Sequence, residues 1–179
     1  LGIGFYEYFC LCEYLSAKPL PVVSLGIACQ YMSKEAVAVD DPELETYIQD
    51  ALDVVEFANG GRDTVWGRVR AEMGHPEPFG LEYLGLGNEQ WETPESDFYR
   101  RFEIFSARVH EKYPDIKIIG TVGPDVETPR HKEAWEWTRA NLARDPKFVY
   151  AADEHFYVPP QWMYDHVTMY DGYPRTGKV

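Results

Sequence analysis

The 179-residue sequence is short of cysteine, of basic charge and of long apolar runs. Its three cysteines, Cys10, Cys12 and Cys29, make no zinc spacing, and an odd count makes no disulfide framework. Cys10 and Cys12 lie two apart in a helical pattern and so point to different faces. All three are expected as small core residues. No apolar run approaches the roughly 18 residues that a membrane helix needs. No signal peptide is visible, and the sequence begins mid-pattern at Leu1, as it would if a targeting segment were missing. A Gly-rich phosphate loop is also absent: Gly85-Leu86-Gly87-Asn88-Glu89-Gln90 lacks the third glycine of a dinucleotide turn. No serine stands in a Gly-x-Ser-x-Gly elbow. His75, His110, His131, His155 and His166 do not form a two-histidine helical zinc motif. Most metal, phosphate and acyl-transfer chemistries are thereby disfavoured, and neither a metal nor a cofactor is expected.

Seventeen Lys and Arg stand against 30 Asp and Glu, a formal net charge of −13. Such a surface repels nucleic acid and anionic membranes, so neither is expected as a partner. It tolerates a neutral polymer such as a plant polysaccharide, and it also serves plain solubility. The aromatic content is high, with 13 Tyr, 9 Phe and 5 Trp. Aromatic faces stack on the C–H groups of sugar rings, and they equally build cores.

Helical and extended patterns alternate along the chain. Phe5, Phe9, Cys12 and Leu15 fall at helical spacing, and Leu20–Leu25 reads as a buried strand after Pro19. Asp41-Pro42 opens a helix with the stripe Leu44, Tyr47, Ile48, Ala51, Leu52, Val55 and Ala58, which Asn59-Gly60-Gly61 stops. Residues 62–80 read as a long polar loop of the kind that is often functional. Then come a strand over Leu81–Leu86, a helix from Thr93-Pro94 to Pro114, and a strand over Ile116–Thr121. A helix over His131–Ala143, a strand over Phe148–Ala152 and a helix over Pro160–Tyr170 follow, with Lys178-Val179 as the start of a further strand. Regular alternation predicts parallel strands with crossover helices, in either a doubly wound open sheet or a β/α barrel.

In both architectures the site gathers at the carboxyl ends of the strands. Ser24, Gln30 and Tyr31 follow the first strand, and Asn88, Glu89, Gln90 and Trp91 the second. Gly123-Pro124-Asp125 follows the third, and Asp153, Glu154, His155 and Tyr157 the fourth. Glu89 is the first candidate. Between an apolar strand and Trp91 its carboxyl is expected to be partly desolvated, which raises a pKa and suits a proton donor. The plainer alternative is a carboxylate that caps or pairs at a strand end. Trp91 is either a stacking platform or core, and Trp135 and Trp137 read as helix packing.

Tyr83-Leu84-Gly85-Leu86-Gly87-Asn88-Glu89-Gln90-Trp91 resembles the acid/base strand of clan A glycoside hydrolases. With Ala58-Asn59-Gly60, Trp66-Gly67 and Gly74-His75-Pro76-Glu77-Pro78-Phe79 upstream, the match is closer to the α-L-arabinofuranosidases of glycoside hydrolase family 51. Leu11-Cys12-Glu13, Ala17-Lys18-Pro19 and Val22-Val23-Ser24-Leu25-Gly26 extend the likeness over nearly the whole chain. The resemblance implies a (β/α)8 TIM barrel, incomplete here and covering about strands three to six, with the start of seven at Lys178-Val179. Residues 1–179 would then be part of one catalytic barrel domain. It implies Glu89 as general acid/base, Asn88 as a sugar contact, and His155 and Tyr157 as groups that orient the nucleophile. Ser24 falls where many relatives carry Asn, and is kept as a sugar contact with Trp91. The family's nucleophile, a Glu at the end of the seventh strand, would lie beyond Val179.

The activity so implied is retaining release of terminal α-L-arabinofuranosyl residues from arabinose-containing oligosaccharides or polysaccharides. The rivals are another clan A glycosidase, of xylosidase or endo-glucanase type, and a non-catalytic sugar-binding barrel. An open-sheet nucleotide binder is a third class, disfavoured by the missing phosphate loop. A secreted or periplasmic location is favoured over a cytoplasmic one, and the sequence leaves oligomerisation open.

Overall fold

A computed structural model describes residues 2–173. The expected alternation is present as α1 (Phe5–Tyr14), β1 (Val22–Val23), α2 (Leu44–Asn59), α3 (Val65–Glu72), β2 (Tyr83–Leu86), α4 (Phe98–Lys112), β3 (Lys117–Thr121), α5 (Pro129–Arg144), β4 (Ala151–Asp153) and α6 (Pro160–Asp165). A 3-10 turn over Met169–Gly172 follows. The strands form one parallel sheet in the order β1-β2-β3-β4. Neighbours in sequence are neighbours in space, and each crossover carries helix, which is the α/β arrangement.

The register separates two faces. Val22, Gly85, Ile119 and Ala151 lie in one row across the sheet. Val23, Leu86, Gly120 and Ala152 lie in the next, and point the other way because side chains alternate along a strand. The second set is buried: Val23 and Leu86, with Leu84 and Ile118, lie under the apolar stripes of α2 and α4, and Ala152 clusters with Ala134 and Trp135 of α5. Phe98, Phe102 and Phe105 are fully buried at helical spacing in α4, and Trp137 of α5 packs on Phe102 and Phe148. The first set is more open: Val22 is 49% exposed. Val22 also approaches Gly85 so closely that a Cβ there would meet its Cγ2 at 2.8 Å.

Several expectations change. The polar stretch 62–80 contains α3, whose start is capped by the Thr64 hydroxyl accepting from Gly67 N. Arg70 anchors it from a fully buried position, donating to the carbonyls of Phe57 (2.8 Å), His75 (3.1 Å) and Pro76 (3.2 Å). Helix α4 begins at Phe98, not at Thr93: Thr93 and Ser96 first close a side-chain box, and Asp97 takes a left-handed φ of 42°. Helix α2 likewise begins two residues after Pro42, behind a turn in which Leu44 N donates to Asp41 O. Strand β4 starts at Ala151, because Phe148 is held in a turn by Asp145. The last expected helix stops at Asp165 and only a 3-10 turn follows. Cys12 is buried as expected, but Cys10 is only part-buried and Cys29 is exposed on the loop after β1. Lys178-Val179 lies outside the described residues.

Candidate active site

The carboxyl ends of β2, β3 and β4 lie side by side, and the chain leaves β2 through a backbone suited to projecting a side chain. Gly87 has φ 77° and Glu89 has φ 51°, both left-handed. Glycine adopts that region freely, whereas a glutamate there is strained, a condition common at functional sites. A Cβ on Gly87 would collide with the Gln90 amide, so the turn needs glycine twice over.

This turn carries the Glu89 carboxyl to the residues after β4. His155 Nδ1 donates to Glu89 Oε1 at 2.7 Å, and the Tyr157 hydroxyl donates to the same oxygen. The other ring nitrogen, Nε2, donates to Asp153 Oδ2 at 2.9 Å. With a carboxylate on each nitrogen, the ring can satisfy both only as the imidazolium. Burial opposes that charge, but the bonds to Glu89 and Asp153 outweigh it and raise the His155 pKa. The Glu89 side chain is 25% exposed, and its second oxygen, Oε2, bonds no described residue.

The titration of Glu89 runs against expectation. Its pKa is lowered, first by the Tyr157 hydroxyl and then by His155, against a smaller opposing effect of burial. Desolvation raises a carboxyl pKa only where donors are scarce. Here two donors are invisible in the local sequence, because they come from the segment after β4, 66 and 68 residues away. His155 and Tyr157, expected to orient a second carboxylate, bond Glu89 itself.

The other candidates divide. Asn88 is exposed, and its amide makes no hydrogen bond to a described residue. Trp91 is buried at 7% exposure. Gln30 pins its backbone, donating to Trp91 O and accepting from Trp91 N at 2.9 Å each, and the Arg130 guanidinium covers its ring at 4.2 Å. Trp91 is thus core with a cationic lid, and no open platform. Ser24 stays outside the Glu89 group. Its hydroxyl accepts from Gly26 N at 3.1 Å, and it borders a cavity of about 560 Å³ with Phe5, Val22, Phe57 and Trp66, by the edge of β1. Asp125 and Glu154 carry no role read from sequence. Asp125 accepts from Tyr157 N at 3.0 Å, and Glu154 gathers four donors on the opposite side of the strand from His155.

Among the described residues no group of three or more His, Cys, Asp or Glu side chains could hold a metal ion. No described helix is long and apolar enough to cross a membrane. The arrangement is a solvent-reachable carboxyl with one free oxygen beside an imidazole and a phenol, equipped for proton transfer to or from a ligand at Oε2.

The alpha-L-arabinofuranosidase 1 domain model matches residues 2–175. An extracellular exo-alpha-L-arabinofuranosidase of Streptomyces chartreusis is 43% identical over 178 residues, 98% of this chain and 20% of that protein. Alpha-L-arabinofuranosidase 2 of Arabidopsis thaliana is 35% identical over 145 residues, 80% of this chain and again 20% of the relative. The chain therefore spans about a fifth of the length of these relatives. Among solved structures, the arabinose-bound MgGH51 α-L-arabinofuranosidase matches with a TM-score of 0.69 at 26% identity, covering 97% of this chain and 24% of its own. The arabinose complex of the Thermotoga maritima α-L-arabinofuranosidase matches with a TM-score of 0.63 at 20% identity, covering 94% and 31%, and supports the fold alone.

Proposed function

The chain belongs to the alpha-L-arabinofuranosidase 1 domain family, and from that premise we propose that it supplies the acid/base half of a retaining arabinofuranosidase site. Its four strands are read as the third to sixth of an eight-stranded β/α barrel, and residues 1–179 as part of one catalytic domain. The intact protein then releases terminal α-L-arabinofuranosyl residues from arabinose-containing oligosaccharides or polysaccharides. The extracellular relative supports a secreted location.

The observation that carries this reading is the Oε2 of Glu89, which bonds no described residue, beside an Oε1 held by His155 and Tyr157. A carboxyl with one oxygen fixed and the other open presents a defined lone pair to a leaving oxygen or an attacking water. Glu89 protonates the departing glycosidic oxygen, then takes the proton of the water that releases the sugar. The partner carboxylate, a glutamate outside residues 1–179, stands about 5–5.5 Å from the Glu89 carboxyl and attacks the anomeric carbon. The lowered pKa of Glu89 suits the second, basic step. A second carboxylate nearby pushes the pair's upper titration upward, so that one proton is retained for the first step. The Asn88 amide, which bonds no described residue, serves in this reading as the contact to a sugar hydroxyl beside Glu89.

The test is Glu89→Gln in the intact enzyme. Hydrolysis of an arabinoside with a poor leaving group should fall by about 10²–10⁴-fold. Hydrolysis of an activated aryl arabinofuranoside, which needs no proton on its leaving group, should fall far less in the glycosylation step. Equal losses on both contradict the acid role.

A further inference from the structure

Strand β4 ends at Asp153, yet the two side chains that meet Glu89 come from His155 and Tyr157, past the last ladder pair. Sheet pairing therefore does not aim them. On one side the β3–α5 loop holds the backbone: Val126 N donates to His155 O at 3.0 Å, and Tyr157 N donates to Asp125 Oδ1 at 3.0 Å.

The other side is held by Glu154. Alternation turns it away from Glu89 and towards α5, where its side chain is only 1% exposed. Its Oε1 accepts from His131 Nε2 at 2.8 Å, Trp135 Nε1 at 2.7 Å and the Tyr173 hydroxyl at 2.9 Å. Its Oε2 accepts from the Tyr170 hydroxyl at 2.8 Å. A carboxylate buried this deeply persists as an anion only when donors replace its water. Burial alone would raise its pKa, but the four donors together bring it down to about 2. Phe156 follows the same side, its ring 5.9 Å from Trp162 and 6.4 Å from Tyr170.

We propose that Glu154 is a positioning residue, locking residues 154–157 between α5 and the turn bearing Tyr170 and Tyr173 so that His155 and Tyr157 engage Glu89. The assignment rests on the acid/base reading for its catalytic consequence, but not for its geometry, and the experiment separates the two.

In the intact enzyme, Glu154→Gln keeps the size of the side chain and removes its charge. We expect kcat on a poor-leaving-group arabinoside to fall by about 10–10²-fold with KM little changed, the scale of a small misplacement of reacting groups. Added to the double variant His155→Ala/Tyr157→Phe, it should cost little more than that variant alone, since it acts through those two side chains. Losses that multiply overturn the proposal. The arm independent of turnover follows the His155 ring signal by NMR in histidine-labelled protein. Glu89 and Asp153 face that ring and raise its pKa, so loss of alignment should bring its midpoint back towards 6.5. An unchanged midpoint in folded Glu154→Gln overturns the proposal whatever Glu89→Gln does. Should Glu154→Gln fail to fold, the pair Tyr170→Phe and Tyr173→Phe leaves the carboxylate in place and removes two donors. A smaller shift in the same direction is then expected, and no shift overturns the proposal.

Discussion

Glu89 and Glu154 both stand at the carboxyl end of the sheet, and they are opposites. An ionised carboxylate has about four lone-pair sites. Glu154 meets four donors and is 1% exposed. Glu89 meets two, both on one oxygen, and is 25% exposed. The backbone repeats the contrast: Glu89 sits at φ 51°, where glutamate is strained, while Glu154 is not among the non-glycine residues with positive φ. Saturation separates a carboxylate that holds structure from one that can accept chemistry. The acidic residue most deeply embedded in bonds is not the one to expect at the reaction.

The largest effect that could break this contrast is Glu89→Gly. Activity on poor-leaving-group substrates should fall by about 10²–10⁴-fold. Stability should change by no more than about 1 kcal/mol, because glycine relieves the left-handed backbone while the His155 and Tyr157 donors lose their acceptor. Glu154→Ala should cost more, about 1–3 kcal/mol, as buried donors lose their acceptor. Denaturant titration of both variants measures the difference. Two losses of similar size would show that Glu89, too, is a structural carboxylate.

A smaller effect lies in the pH dependence of stability. The Glu154 pKa is depressed from 4.5 to about 2, so its contribution is complete above 4.5 and is lost as the pH falls towards about 2. The His155 pKa is raised from 6.5, so its contribution is complete below that value and is lost as the pH climbs through the raised one. Thermal midpoints recorded across pH should decline at both ends. Glu154→Gln should flatten the acid limb and His155→Gln the limb above 6.5. An acid limb that survives Glu154→Gln would assign it to other carboxylates.

The helix-covered side of the sheet was more legible than the rim. The stripes of α2 and α4 and the apolar strand Leu84–Leu86 announce burial by period alone, since the hydrophobic effect acts on every residue of a face. Glu89 stands out because it follows such a strand, whereas the family likeness singles out His155 and Tyr157 but aims them at the nucleophile, so their bonds to Glu89 come from the structure alone. Its titration was misjudged because donors that lie far off in sequence decide it. The buried arginines were missed altogether. Arg101 reaches the carbonyls of Ser96 and Leu25 at 3.0 and 2.9 Å, and that of Val37, tying α4 to the loop after β1. Nothing in a run such as Tyr99-Arg100-Arg101-Phe102 tells which arginine faces inward. Helix α3 escaped for the same reason, since the buried anchor within it is Arg70, which reads as polar surface. Glu154 looked like its acidic neighbour Asp153 until α5 and the 170–173 turn supplied its donors.

The smallest effect concerns Trp91, two residues past Glu89 and the residue whose side of the contrast was undecided from sequence. Its burial, its paired bonds with Gln30 and the Ser96 hydroxyl donating to its carbonyl at 3.0 Å put it with the structural group. The one exposed feature is the Arg130 guanidinium over its ring. A cation–π contact of this kind contributes about 0.5–1 kcal/mol near a surface. Arg130→Ala should therefore lower stability by about that amount, with KM for arabinosides and the response to leaving group both unchanged. A several-fold rise in KM without a stability loss would mean that the indole and its cation face the sugar. The boundary between the two groups would then run through Trp91 itself, because one ring would serve the core on one face and the ligand on the other.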